Sequence, residues 1–392
     1  SSAPSGRYYT GPTASGAPNP LGAKWDWNRV NAFAPFLRRL SGGATFYELA
    51  WCEIEKTQGQ QDWSTVDEVA RSAHALGFAL YLKVRVGSCW ATASGKPALG
   101  AGATPAERRA ARRAARRAAR QAASSMPINL DDYAAFVTTV VQRYAPLGVH
   151  EYALENEVNA PGHWTGTPAD YERLVTAGAR AVHAADPTAK VADGGLGSTV
   201  YGGVLAQDLL DQGKDAEAVA AYRQYYARRF EVRGDQLPQA TTAADLRTAL
   251  AGDQLVRNRQ YFDATLDLVR NHVVDLFQLH FYEAPDVIGS LTSMLHAHLP
   301  ADFPVQAWEV GQFWPNAPED PAVHADQTKR VVCGLVSGDV QRIIWLPLGY
   351  NPNGRNATEL RFGLLDPNGT TRPAATTFLG LRQPQTACAK LG

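Results

Sequence analysis

Strand-length apolar runs recur along this 392-residue chain, and amphipathic helical stretches lie between them. The clearest runs are Ala44–Trp51, Phe78–Val86, Val149–Leu154, Lys190–Ala192, Val273–Phe281, Pro304–Trp308 and Val340–Leu346, with a less distinct first strand expected near Arg7–Thr10. Strands apolar along their whole length belong to a parallel sheet covered on both faces; a sheet with one wet face would alternate. After Ala44–Trp51 a helix is expected from Ser64 or Thr65, either of which can cap it, with Ala70, Ala73 and Leu76 as apolar positions. About eight such units predict an α/β fold, a (β/α)8 TIM barrel. A doubly wound sheet is the alternative. The barrel is preferred because residues able to do chemistry end several different strands, as barrel sites require.

Two stretches exceed the bare repeat and predict helical insertions, after strands 3 and 5, in a single catalytic domain spanning 1–392. Residues 100–125 carry an Arg-Arg-Ala-Ala repeat that puts Arg108, Arg112, Arg116 and Arg120 on one helical face. That face is either solvated or a cationic rail for an anionic polymer. Residues 201–254 are expected to wall or lid the barrel mouth, with aromatic side chains that stack on a ligand or form the insertion's own small core. Asp186-Pro187 ends the helix before Lys190–Ala192, and Asp193-Gly194-Gly195-Leu196-Gly197 lacks dinucleotide-binding spacing and reads as a tight turn.

Lys+Arg and Asp+Glu balance at 38 each, so no net field draws the chain to nucleic acid or a membrane. No apolar run approaches the roughly 18–20 residues of a membrane span. The polar start, Ser1 to Gly6, reads either as a trimmed start or as the mature terminus of a protein whose signal peptide has been removed, and the expected location is extracellular. Cys52 and Cys89 follow two successive strands, Cys333 lies in a late helix and Cys388 in the tail. Bridges 52–89 and 333–388 are geometrically reasonable, and four buried thiols are the alternative. No CxxC pair occurs, so a zinc site is not expected, and no P-loop or HExxH stands out, so neither another metal nor a cofactor is expected. Asn356-Ala357-Thr358 and Asn368-Gly369-Thr370 match the glycosylation pattern.

The chemistry concentrates in two glutamates. Glu157 lies in Leu154-Glu155-Asn156-Glu157-Val158-Asn159, closing predicted strand 4, and Glu309 in Ala307-Trp308-Glu309-Val310-Gly311, closing strand 7. Two carboxyls from two strand ends are what retaining glycosidic cleavage uses: one protonates the leaving oxygen, the other attacks the anomeric carbon, across about 5–5.5 Å. Asn156 could bind a sugar 2-hydroxyl. His280 and Tyr282 end strand 6 on the same side; Tyr282 could donate to Glu309, and His280 could orient substrate or be a satisfied core histidine. Trp345 in strand 8, and Trp51 and Trp90 after strands 2 and 3, are candidate sugar platforms or core indoles.

In this order the motifs resemble clan A glycoside hydrolases, and within them the family 39 group of β-xylosidases, α-L-iduronidases and bacterial exopolysaccharide endoglycosidases. The matching residues are Trp51-Cys52-Glu53-Ile54-Glu55 with Gly59 and Asp62-Trp63, then Asn156-Glu157, Thr167 to Tyr171, Asp186-Pro187, Val191, Gly194-Gly195, His280-x-Tyr282 and Trp308-Glu309-x-Gly311. The resemblance implies double displacement with Glu157 as acid/base and Glu309 as nucleophile. It has three departures. Asn-Glu-Val stands where Asn-Glu-Pro is usual. The arginine common near the end of strand 2 is absent, with Phe46 or Glu48 in that region, and Arg85 on strand 3 is the expected substitute. Xylosidases and iduronidases carry an additional β-rich domain; the eight units read here resemble the bare-barrel members more, and endo action is the expectation that follows. The expected substrate is therefore a polysaccharide or oligosaccharide. An exo-glycosidase and a non-catalytic polysaccharide-binding barrel are the alternatives.

Overall fold

The computed structural model describes residues 4–93, 102–109, 123–230, 237–354 and 357–389. Eight parallel strands form one sheet: β1 (Leu21–Ala23), β2 (Ala44–Ala50), β3 (Ala79–Arg85), β4 (Glu151–Leu154), β5 (Lys190–Ala192), β6 (Phe277–Phe281), β7 (Val305–Val310) and β8 (Val340–Trp345). Their order, β5-β4-β3-β2-β1-β8-β7-β6, is that of a barrel opened between β5 and β6. Isolated bridges Ala192–Leu276 and Leu196–Leu279 close the gap, giving the expected (β/α)8 barrel.

The first strand differs from expectation. Arg7–Thr10 is not a strand; Tyr9 N–H donates to Ser72 Oγ, and the Ser72 hydroxyl donates to the Arg7 carbonyl, tying this segment to the helix Ser64–Ala75. The true β1 is three residues long and pairs with β2 and β8. So short a run gives no apolar signal of its own. Gly22 is required there, because a Cβ would strike the Ala44 carbonyl across the strand pair.

Inside the barrel, Ala44, Phe46, Tyr81, Ala153, Ala192, Leu276, Trp308 and Ile344 pack as one cluster, small residues facing large. The rings of Tyr81 and Trp308 lie 4.8 Å apart. Alternation along β3 turns Tyr81 into this cluster, Lys83 to the site above it and Arg85 to the mouth. A register shift between β6 and β7 separates the Leu279–Ala307 pair from His280–Glu309. The irregularity lets Trp308 fill the interior while the next residue, Glu309, also faces the mouth.

The second insertion folds as helices Val200–Asp211, Asp215–Tyr225 and Ala243–Leu250. Tyr222, Tyr225 and Tyr226 are buried, with the Tyr222 and Tyr226 rings 5.0 Å apart. Their hydroxyls donate to the carbonyls of Pro238, Ser198 and Thr199. These aromatic residues are the insertion's own core rather than a sugar surface. Of the arginine repeat, Arg108 and Arg109 are exposed, and Arg112 to Arg120 lie outside the described residues. Cys52–Cys89 and Cys333–Cys388 are disulfides, each with Cα atoms 5.5 Å apart. Asn368 is exposed in a turn, and Asn356 lies outside the described residues. No helix among the described residues is long and apolar enough to cross a membrane.

Candidate active site

The site is built where β4 and β7 end. Beyond Leu154 the chain takes two left-handed residues, Glu155 at φ 74° and Glu157 at φ 46°. Non-glycine residues adopt this region at a cost, and functional sites are where it is retained. A residue before proline is held extended; with Val158 in that place, Glu157 can take its positive φ. Glu155 fixes the turn: its buried carboxylate accepts from Val86 N–H at 2.7 Å and lies 3.5 Å from Arg85 Nε. Asn156 and Glu157 are thereby presented to the cavity.

Glu309 is held from two sides. Lys83 Nζ donates to its Oε1 at 2.6 Å, and the Tyr282 hydroxyl donates to Oε2 at 2.8 Å. Burial by itself raises the carboxyl pKa, but the positive charge of His280 and Lys83 and the two hydrogen bonds outweigh it, bringing Glu309 down to about 2. Lys83 is fully buried. It also donates to Asn156 Oδ1 at 2.8 Å and lies over the Phe46 ring, 4.3 Å from its centroid.

His280, also fully buried, carries the proton arithmetic of Glu157. Gln278 Nε2 donates to the Asp193 carbonyl at 2.7 Å, which fixes the amide and turns its Oε1 to His280 Nε2 at 2.8 Å. Nε2 must therefore bear a hydrogen. On the other side Nδ1 lies 2.9 Å from Glu157 Oε1, so that contact shares one proton between imidazole and carboxyl. Glu157 is the more open acid: its side chain is 20% exposed against 8% for Glu309. One oxygen from each carboxyl and a ring nitrogen of His280 all lie within 4.8 Å of one another. That trio has the ligand types of a metal site, but Lys83 already brings a cation to Glu309.

The cavity around this pair measures about 950 Å³, and Asn156, Glu157, Arg85, Tyr282 and Glu309 line it. Lys24, immediately after β1, also lines it; Trp27, Phe46 and Tyr47 surround its ammonium with centroids 5.2–5.7 Å away. Desolvation lowers Lys24 to about 8 against the pull of Glu48. On the β8 side Glu359 faces the same space, raised to about 7 by desolvation and by the negative charges of Glu309 and Glu157.

Several sequence expectations need correction. Arg85 does not take the place of the absent arginine: its guanidinium sits between Glu155 at 3.5 Å and Glu48 at 3.7 Å, and Lys83 touches Glu309 instead. Trp345 is not a sugar platform. It is one residue out of phase with Ile344 and Leu346, points to the outer helices near Phe378, and donates its indole N–H to the Phe362 carbonyl. Trp51 is buried against Phe136 and donates to Glu55, and Trp90 donates to the Glu55 carbonyl; neither lines the cavity. Lys83, Gln278, Lys24 and Glu359 were not anticipated. The available signal for Lys83 was a lone lysine inside Leu80-Tyr81-Leu82-Lys83-Val84, a position where a charge must have a partner.

A barrel of this topology, with carboxyls at the ends of β4 and β7, has the fold of solved glycoside hydrolases. The chain is similar to a family 39 glycoside hydrolase from the gut symbiont Bacteroides cellulosilyticus WH2, at TM-score 0.54 and 14% identity, covering 95% of this chain and 63% of that one. It is also similar to the exo-beta-1,4-mannosidase Op5Man5 from Opitutaceae bacterium strain TAV5, at TM-score 0.55 and 14% identity, covering 99% and 63%. A third, a GH5_18 protein from Streptomyces cattleya in complex with GlcNAc, matches at TM-score 0.55 and 12% identity, covering 97% and 82%. The chain thus spans under two thirds of the length of the first two. No family model matches the sequence, and no curated protein matches it.

Proposed function

We propose that this chain is a retaining glycoside hydrolase acting on a polysaccharide or oligosaccharide. The observation that carries the reading is the carboxyl pair: Glu157 and Glu309 oxygens within 4.8 Å, the first more exposed and sharing a proton with His280, the second buried and held ionised. Separations near 5 Å suit direct attack by one carboxylate, whereas inverting enzymes need about 6.5–9.5 Å for a water. Glu157 protonates the glycosidic oxygen as Glu309 attacks the anomeric carbon; the same Glu157 then takes a proton from the water that frees the sugar. Asn156 gives its amide oxygen to Lys83, so its NH₂ is the part left for a sugar hydroxyl. Arg85 stands at the mouth as a substrate contact.

An endo-acting mode is the first reading to test; the cavity of about 950 Å³, at the top of the about 300–1,000 Å³ range of small-ligand pockets, leaves room for it. The two disulfides accord with an extracellular location. The test is a hydrolysis screen over a glycan panel comparing the parent with Glu309→Ala, with products read by mass spectrometry. Oligosaccharides from the parent alone support the endo reading. Single sugars alone would move it to an exo-glycosidase. Binding without cleavage of any glycan would leave a carbohydrate-binding barrel.

A further inference from the structure

We propose that Lys83, reaching across from β3, is the positioning residue of the nucleophile, and that it speeds release of the sugar from Glu309. The kinetic half of this rests on the glycosidase reading; the electrostatic half does not.

The geometry leaves Lys83 no other occupation. Its Nζ has three hydrogens: one meets Glu309 Oε1 at 2.6 Å, one meets Asn156 Oδ1 at 2.8 Å, and the third faces the Phe46 ring at 4.3 Å. His280 Nε2 lies 3.5 Å away, but it is itself a donor, committed to Gln278, and does not accept from the ammonium. The register explains how a lysine arrives here. Phe46 is level with Tyr81 and Glu48 with Lys83. With a phenylalanine on β2, the volume beside Glu309 is open to a side chain from the next strand, and the Phe46 ring becomes its floor.

A buried ammonium is tolerated only while its counter-charge is present. In the free enzyme Glu309 supplies it. When a Glu309 oxygen bonds the anomeric carbon, the carbon–oxygen bond to the leaving group breaks, and that oxygen takes the bonding pair and the Glu157 proton. Glu309 is then a neutral ester, and Lys83 has lost the carboxylate hydrogen-bonded to it, while the negative charge left by the proton transfer lies on Glu157. In the second step water bonds the anomeric carbon and gives a proton to Glu157, while the ester carbon–oxygen bond breaks with its pair returning to Glu309. The charge reappears opposite Lys83. Lys83 therefore disfavours the covalent ester relative to the hydrolysed state with its free carboxylate. The other ionisable groups facing Glu309 are Tyr282 and His280 from β6, Glu157 after β4, Lys24 after β1 and Glu359 after β8. Among the described residues only Lys83 forms a close cation–carboxylate hydrogen bond to it.

The experiment compares the parent with Lys83→Met and Lys83→Arg. The Glu309 carboxyl is titrated by ¹³C NMR, assigned by difference from Glu309→Gln, and folding is checked by thermal melting. In Lys83→Met the titration should move up by about 1–3 pH units, while Lys83→Arg should restore most of the depression. With the 2,4-dinitrophenyl β-glycosides of xylose, glucose and mannose, Lys83→Met should release dinitrophenolate in a burst and carry a glycosyl ester visible by intact mass, with the acid limb of kcat/KM shifted in step. A folded Lys83→Met with an unmoved Glu309 titration and no burst overturns the proposal, since a merely structural lysine would lower activity without either change. Should Lys83→Met fail to fold, a parent Glu309 titrating near the ordinary value of about 4.3 overturns it, and one well below supports it together with the arginine variant. If the parent cleaves none of the glycosides, the glycosidase reading loses ground while the titration still decides the role of Lys83.

Discussion

Glu309 is buried yet depressed to about 2, and the sign of that shift sets a pH window. A carboxyl whose folded pKa lies below its unfolded value of about 4.3 contributes stability above that value and loses it as pH falls towards 2. The contribution is about 3 kcal/mol. Melting temperatures at pH 5 and pH 2.5 should therefore converge for Glu309→Gln relative to the parent, and equal acid losses in both would count against the ion pair. The other donor tests the aim of the carboxylate. Tyr282→Phe removes a hydrogen bond to a charged acceptor, about 1.5–3 kcal/mol, so kcat/KM on any cleaved glycan should drop about ten- to hundredfold with the fold intact. Glu359 has the opposite sign. Its raised pKa, about 7, means its ionisation opposes folding as pH climbs from about 4.3 through 7. Glu359→Gln should stabilise the protein at pH 8, on the order of 1 kcal/mol after screening at this partly exposed site, and have no such effect at pH 4.

Strand ends and the turns after them decide where these groups point. Gly195, in the turn after β5, has φ 72°, and a Cβ built on it would strike His280 Nε2. Gly195→Ala should cost roughly 1–3 kcal/mol of stability and displace the imidazole that shares the Glu157 proton, so activity should fall more than stability alone explains. Calorimetry beside kinetics separates the two. Much of this scale is legible in the sequence. The runs that became β2 to β8 could be read because strands buried on both faces must be apolar, and the two glutamates stood out where those runs stopped. Trp345 was misread because its phase along β8 depends on which neighbour faces inward, and Ile343-Ile344-Trp345-Leu346 is apolar at every step. β1 was misplaced because three residues carry no period. Lys83 went unnoticed because its partners, Glu309 and Asn156, lie 226 and 73 residues away in sequence, and only the closed barrel brings them together.

Across the whole molecule, two covalent ties join segments far apart in sequence. Cys333–Cys388 closes a 55-residue separation and Cys52–Cys89 one of 37. In the chain-entropy account each is worth about 4 kcal/mol, so reduction should lower the melting temperature, and a double Cys333→Ala/Cys388→Ala variant should reproduce part of the loss without changing the active-site titrations. An unchanged melting temperature on full reduction would contradict this. The barrel wall itself is uneven. Between β5 and β6 two aspartates stand in for parts of a strand ladder: Asp275 accepts from Val191 N–H at 2.8 Å, and Asp193 accepts from Gln278 N–H at 2.6 Å. A junction laced by side chains sets no strict spacing on the chain that bridges it, and the long helical insertion lies in that connection. The same lacing makes it the natural line along which the cylinder unzips. The amides of Val191 and Gln278 should exchange with deuterium ahead of those between β2 and β3, and ahead of global unfolding. Since Asp193 fixes the Gln278 amide that holds His280, the first crack in this protein would run straight through the hydrogen-bond chain that reaches Glu157.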